Sequence, residues 1–312
     1  MTKPRIAILG IFVADLAFKA KRLPVMGETL LGQGFAMGPG GKGSNQSVAA
    51  ARAGGDVTFI AKIGRDPFGD IALKTWGSDG IDTSQVAISE TSPTGAAFIF
   101  VSSETGDNAI IVEAGAAGTL TADDVSTAEK AISGAKVFVT QLETAVAASR
   151  RGLELARKHG VITIFNPAPA AKIDTAIYGL CDYVTPNETE ASDITGVPVN
   201  TVDDARKAGD ALLKLGAKNA LITLGANGAL LHNHDQSVHL PTYKVKVVET
   251  TGAGDAFNGA FAVAIGEGRP PVEAMRFACA CAALSVTKAG TAPSMPMRGE
   301  IDALMAKGEL GL

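Results

Sequence analysis

An excess of charge of either sign is the first thing this 312-residue chain lacks: 28 Lys and Arg stand against 32 Asp and Glu, a net charge of −4, with no long basic run. That balance argues against nucleic acid or an anionic membrane surface as the main partner. Long apolar runs are missing as well. Hydrophobic residues make up 46% of the chain, ample for a core, yet Gly or a charge interrupts every stretch well short of a membrane span. Met1-Thr2-Lys3-Pro4 leads into a strand without a secretory apolar region, so a cytoplasmic protein is expected. Cysteine is scarce too. Cys181, Cys279 and Cys281 cannot all pair within the chain, and the last two lie too close together in an apolar helical stretch to bridge comfortably. Reduced, buried thiols are the expectation. No internal repeat, linker or low-complexity segment is visible.

What the chain does contain is a regular alternation of short apolar runs and helical patterns. Arg5-Ile6-Ala7-Ile8-Leu9-Gly10 reads as a buried parallel strand. Further strands are expected near 57–61, 135–139, 161–165, 183–184 and 220–224, and helices near 67–77, 145–159, 187–194, 203–215, 253–266 and 271–287. The series predicts an α/β fold: a mostly parallel central sheet with helices on both faces, in a single domain spanning 1–312. Two glycine-containing, alternating segments, about 16–37 and 94–112, predict a small β-sheet lid inserted into that core. Such a lid covers a site or pairs with another subunit, because an uncovered strand edge is a liability.

Thr250-Thr251-Gly252-Ala253-Gly254-Asp255-Ala256-Phe257-Asn258-Gly259 reads as a loop feeding a helix N-terminus. Unpaired N–H groups at the positive end of a helix dipole suit an anion. Asp255 is out of place beside an anion unless it is a general base for a hydroxyl attacking a phosphoryl group; the plainer reading is an acidic first-turn residue. Gly38-Pro39-Gly40-Gly41-Lys42-Gly43-Ser44-Asn45-Gln46 presents Lys42 and Asn45 from a glycine turn ahead of a helix from Ser47 to Ala53. It matches a dinucleotide fingerprint literally, which keeps a dinucleotide-binding oxidoreductase as the rival class. That fingerprint should turn directly out of the first strand, whereas here the two are far apart. A phosphate-binding Walker loop fails because Gly43 follows Lys42. Asp15 is expected in a loop at the carboxyl rim of the sheet, a place where ligands of such sheets collect. Asn187 and Glu190 share a helical face, with helix capping as the plain role for Asn187. Gly225-Ala226-Asn227-Gly228 is a hairpin-like turn that could lie under a nucleotide. His232, His234 and His239 occupy a hairpin of alternating polarity, which argues against a metal site.

In order and spacing, Gly27-Glu28-Thr29, Gly40-Gly41-Lys42-Gly43-Ser44-Asn45-Gln46, Gln141-Leu142-Glu143, Asn166-Pro167-Ala168-Pro169, Thr185-Pro186-Asn187-Glu188-Thr189-Glu190, Ile222-Thr223-Leu224-Gly225 and Gly252-Ala253-Gly254-Asp255 resemble the ribokinase family of carbohydrate kinases, the PfkB group, over essentially the whole chain. The resemblance implies an ATP-dependent kinase acting on a sugar's primary hydroxyl, D-ribose first, with 2-deoxyribose or a ketohexose as alternatives. Asp255 would be the base, and the amides of Gly252, Ala253 and Gly254 the anion hole. Asp15, Gly41, Lys42, Asn45 and Glu143 would grip the sugar. Asn187, Thr223, Gly225, Gly228 and Gly254 would line the ATP site, with Glu190 holding Mg2+ through water. Glu249, Thr251, Ser285, Gly290 and Ser294 would hold K+, and a homodimer would form through the lid. The chain departs from the family pattern twice. Glu249 stands where Asp is usual, and Val13 where ribokinase-like sequences commonly carry Asn. Loss of an amide partner for a buried sugar hydroxyl costs about 1–3 kcal/mol and favours a sugar without that hydroxyl, such as 2-deoxyribose.

Overall fold

The computed structural model describes residues 2–308. In β1 (Arg5–Leu9), Ile6 and Ile8 face one core while Ala7 and Leu9 face another, as a parallel strand covered on both sides requires. The chain then leaves this layer. β2 (Val13–Ala20) and β3 (Gly34–Gly40) pair antiparallel before α1 (Lys42–Arg52) brings it back. β4 (Asp56–Gly64), α2 (Pro67–Ser78) and β5 (Asp82–Ser89) follow. Asp66 caps α2 by accepting from the amides of Phe68 and Gly69, with Pro67 at the first helical position. β6 (Thr94–Ser102) and β7 (Asn108–Gly115) belong with β2 and β3. The alternation resumes through α3 (Ala122–Thr127), α4 (Glu129–Gly134), β8 (Val137–Thr140), α5 (Val146–Lys158) and β9 (Ile162–Phe165). β10 (Tyr183–Val184), α6 (Glu188–Thr195), α7 (Val202–Lys214) and β11 (Asn219–Thr223) continue it. A hairpin of β12 (Ala229–His232) and β13 (Ser237–Leu240) precedes α8 (Ala253–Gly266), α9 (Pro271–Ser285) and α10 (Arg298–Lys307).

The main sheet has nine strands in the order β13-β12-β11-β10-β9-β8-β1-β4-β5, parallel except for the β12 and β13 hairpin at one edge. One face packs against α1, α2, α8, α9 and α10 around Trp76, Phe257, Phe261 and Phe277. The other packs against α3 to α7 around Phe138, Phe165, Tyr178 and Leu212. The second sheet, ordered β3-β2-β6-β7, joins the first through a small cluster of Ile11, Val13, Ala97 and Ala117. Among the described residues no helix is long and apolar enough to cross a membrane.

Two local differences from the sequence reading matter for the site. α1 begins at Lys42 instead of Ser47, so Gly38 to Gly40 end a strand and Lys42, Asn45 and Gln46 project from helical turns. Glycine and serine are weak helix formers; tertiary contacts hold this turn. Ser44 donates its amide to the Ile11 carbonyl (3.1 Å) and its hydroxyl accepts from Trp76 Nε1 (2.9 Å). Asp15 lies on β2, paired with Gly38 and Ala97, and not in a loop. β5, α3, α4 and α10 also went unread, being short or weakly patterned.

Close contact of α1 with α8 brings the two site-bearing helices together. A Cβ on Gly259 would lie 2.5 Å from the Gln46 carbonyl and 2.7 Å from Ala49 Cβ, so only hydrogen fits at that crossing.

Candidate active site

α8 starts at Gly252, whose left-handed backbone (φ 81°) turns the chain into the helix with no side-chain cap. The first amides of a helix lack intrahelical acceptors and carry the positive end of its dipole. Ala253 N–H turns back to the Thr250 carbonyl (3.2 Å) and Ala256 N–H to that of Gly252 (2.9 Å), leaving the Gly254 turn at the helix mouth. Asp255 is buried there. Its Oδ2 accepts from Asn45 Nδ2 (3.0 Å) and its Oδ1 from Gln46 Nε2 (3.1 Å). Burial pushes the carboxyl pKa up, against the Lys42 charge and the two amide bonds.

Around this carboxylate stand three more, with one cation among them. Asp15 is pushed up to about 6 by burial, then by the charges of Asp255 and Glu249. Glu143 is pushed up to about 7, again by burial first, although Lys42 and its backbone amide, which donates to Glu143 Oε2 (2.7 Å), work the other way. Glu190 is raised by burial, opposed by its bond to the Asn187 amide and by Lys42. Burial works against the Lys42 charge, yet Asp255, Glu143 and Glu190 outweigh it and raise its pKa. Acceptors this crowded favour a ligand rich in O–H donors. The chain makes room for these carboxylates: that of Asp15 occupies the place a Gly40 Cβ would take, so Gly40 admits no side chain. Asn45 Oδ1 is buried with no hydrogen-bond partner among the described residues.

The other side of the mouth is more open. Asn187 caps α6 by accepting from Glu190 N–H (2.8 Å), and Glu190 Oε2 accepts from Asn187 N–H (2.9 Å). The plain capping role of Asn187 is therefore present. Asn187 bridges to Thr223 at the end of β11, and Gly225 to Asn227 form a tight turn closed by Leu224 N–H to the Gly228 carbonyl (2.8 Å). Asn187, Thr223, Gly225 and Gly228 thus share one rim. Glu249 and Gly290 meet, with Gly290 N–H donating to Glu249 Oε2 (2.9 Å). Thr291, next to Gly290, packs 3.5 Å from the Cβ position of Gly252 and donates its hydroxyl to the Pro39 carbonyl (2.8 Å).

Sequence reasoning assigned no role to Gln46, Gln141, Asn166, Thr185 and Asn258, which form a buried hydrogen-bonded set behind Asp255. Polar residues directly after apolar strands, and an Asn within a turn of Asp255 in an apolar helix, were the available signals. The glycines at 38–43 join an antiparallel edge strand of the second sheet to α1, so the parallel strand–helix–strand setting of a dinucleotide fingerprint is absent. His232 is occupied by Asp210 and Ser237, and His239 by the Asn227 carbonyl.

Comparison with known proteins gives a consistent result. Residues 3–298 match the model of the pfkB family carbohydrate kinases. A deoxyribokinase of Salmonella typhi is 38% identical over 292 residues, 93% of this chain and 95% of that protein. A ribokinase of Haemophilus influenzae is 38% identical over 295 residues, 95% of this chain and 96% of its own. Among solved structures, Arabidopsis thaliana ribokinase complexed with ribose and ATP superposes with a TM-score of 0.90 at 31% identity, covering 98% of this chain and 99% of that one. Thermotoga maritima ribokinase gives 0.86 at 38% identity, covering 96% and 99%.

Proposed function

Because the chain belongs to the pfkB family of carbohydrate kinases, we propose that it transfers the γ-phosphoryl group of ATP to the primary hydroxyl of a pentose, D-ribose first, with Asp255 as the base. The observation that carries this reading is the Asp255 carboxylate, buried at the mouth of α8 and held through both oxygens by amides of α1. Beside it lies the turn at Gly252 that no side chain caps.

The acceptor hydroxyl gives its proton to Asp255 as its oxygen forms a bond to the γ-phosphorus. The bond from that phosphorus to the bridging oxygen breaks, and ADP leaves. The amides of Gly252 and Gly254, joined by that of Ala253 as it turns from the Thr250 carbonyl, take the charge that develops on the transferring group. Asp15 and Glu143 accept from sugar hydroxyls, Asn45 Oδ1 supplies the buried acceptor that lacks a partner, and Lys42 and Gly41 complete the grip. Asn187, Thr223, Gly225 and Gly228 line the nucleotide rim. Magnesium on the nucleotide neutralises phosphate charge when bound, with Glu190 as a ligand through water.

The oxygens of Glu249, Thr251, Ser285, Gly290 and Ser294 suit a hard monovalent cation, potassium in this proposal. The Ser285 hydroxyl donates to the Ala282 carbonyl and that of Ser294 to the Thr291 carbonyl, so both keep oxygen lone pairs uncommitted by their own protons. Turnover should fall when choline replaces potassium; an unchanged rate removes the site.

2-Deoxyribose is the second reading, favoured by Val13, an apolar side chain two residues before Asp15 on the same face of β2. Comparing kcat/KM for ribose, 2-deoxyribose, fructose and a nucleoside tests the substrate. Asp255→Asn tests the chemistry: kcat should drop by about 10²–10⁴-fold with ATP affinity nearly intact. Turnover surviving within about tenfold would remove Asp255 as the base.

A further inference from the structure

The residues behind Asp255 form a ring whose polarity is set by one backbone carbonyl. Asn166 Nδ2 donates to the Thr185 carbonyl (2.8 Å). With its N–H group so committed, Asn166 turns Oδ1 toward Gln46 and accepts from Nε2 (3.2 Å). Gln141 Nε2 donates to Gln46 Oε1 (2.6 Å). Both ends of the Gln46 amide are therefore fixed, and its remaining N–H goes to Asp255 Oδ1 (3.1 Å). The ring closes through Thr185, whose hydroxyl donates to Asn258 Oδ1 (2.6 Å), while Asn258 Nδ2 donates to the carbonyl of Gly254, the residue before the base. All five side chains are buried, Gln46 completely.

Gln141 shows that orientation outranks satisfaction here. Its Oε1 is buried without a partner among the described residues, wedged where a Cβ on Gly10 (2.6 Å) or Gly43 (3.1 Å) would lie. An unmade buried hydrogen bond is destabilising. Turning the amide over would instead set two carbonyl oxygens against each other at Gln46.

On the reading that Asp255 is the base, we propose that Gln46, oriented by Asn166 and Gln141, is a positioning residue for phosphoryl transfer. It holds Asp255 Oδ1 and thereby aims the carboxylate at the acceptor hydroxyl. The charged groups facing Asp255 are Lys42 from α1, Asp15 from β2, Glu143 after β8 and Glu190 from α6. Three of the four are acidic; the Lys42 charge is the largest influence favouring the ionised carboxylate, and the amide donors of Asn45 and Gln46 add to it against burial.

The test is the pH dependence of kcat in the full-length enzyme with Gln46→Leu, Gln46→Glu and Gln141→Met, alongside thermal melting. Gln46→Leu should lower kcat by about tenfold or more, leave KM for ATP within about twofold, and move the acid limb of kcat up by roughly half a pH unit or more. Gln46→Glu keeps the shape but sets an acceptor against Asp255, and should lose more. Gln141→Met frees only the far end of Gln46 and should fall between these variants and wild type. Folded Gln46 variants with kcat within about threefold of wild type and an unmoved acid limb overturn the proposal. A lowered melting temperature with both kinetic readouts unchanged also overturns it, because it leaves only a structural role. Should neither Gln46 variant fold, an unmoved limb in Gln141→Met does the same. An active Asp255→Asn enzyme removes the base reading itself; an inactive one beside normal Gln46 variants removes only this inference.

Discussion

Val13 and Asp15 project from the same face of β2, because successive strand residues alternate sides, and Val13 packs with Ile11, Ala97 and Ala117. An amide at position 13 would stand beside the sugar grip without displacing it. Val13→Asn should raise the kcat/KM ratio of ribose to 2-deoxyribose by about tenfold, the worth of one buried hydrogen bond to the extra hydroxyl; an unchanged ratio would mean that position 13 does not meet that hydroxyl. Glu143 gives a pH prediction. Its carboxyl titrates near 4.5 when unfolded and is pushed up to about 7 in the fold. Between these values the folded chain holds a proton that the unfolded chain has lost, so stability falls as pH rises through the window and levels off above it. Glu143→Gln abolishes that contribution. Its melting temperature relative to wild type should climb from pH 5 to pH 7.5, and a constant difference would disprove the assignment. Single residues were legible from sequence where a motif surrounds them, as for Asp255, Lys42 and Asn45. Gln46, Gln141 and Asn166 were not, since nothing in a linear order says that three amides converge behind a carboxylate.

Elements were legible where apolar runs are long enough to show a period. β1, β4, α5, α7 and α8 were all anticipated near their observed positions. α1 was misjudged at its start, because Lys42-Gly43-Ser44 owes its helical form to contacts with Gly10 and Ile11, just after β1, and with Trp76 and not to its own propensity. The same dependence makes the α1 and α8 crossing sensitive. In Gly259→Ala the new methyl would lie 2.5 Å from the Gln46 carbonyl, so one helix must move; this should cost about 1–3 kcal/mol of stability, read by denaturant unfolding. Since Gln46 and Asn45 ride on the displaced turn and hold Asp255, kcat should fall while KM for ATP stays put. Loss of stability with full kcat would show that the crossing shift does not reach the base.

At the scale of the whole molecule, the parallel sheet with helices on both faces followed from alternating apolar runs. The second sheet's extent was harder to read, because its strands are only partly buried and their apolar periodicity serves two faces. Pairing places Phe18, Phe35, Phe98 and Ile111 on one face of that sheet, opposite the face that carries Asp15. The Phe18 ring lies 5.0 Å from that of Phe35 and 5.8 Å from that of Phe98, and Phe35 is 60% and Ile111 70% exposed. A contiguous apolar patch on a sheet face marks an association surface, and a two-fold pairing of identical sheets covers it without new chemistry. We therefore propose a homodimer through this lid. Light scattering should give about twice the 31.8 kDa chain mass for wild type, and the single-chain mass for Phe35→Glu with Ile111→Lys. Because Asp15 is built on the back of the same sheet, the dissociated variant should also bind sugar more weakly while ATP binding holds. A wild-type chain that is monomeric at micromolar concentration, or a double variant that remains dimeric, would disprove the interface; a monomeric variant with unchanged sugar KM would separate the interface from the grip on the sugar.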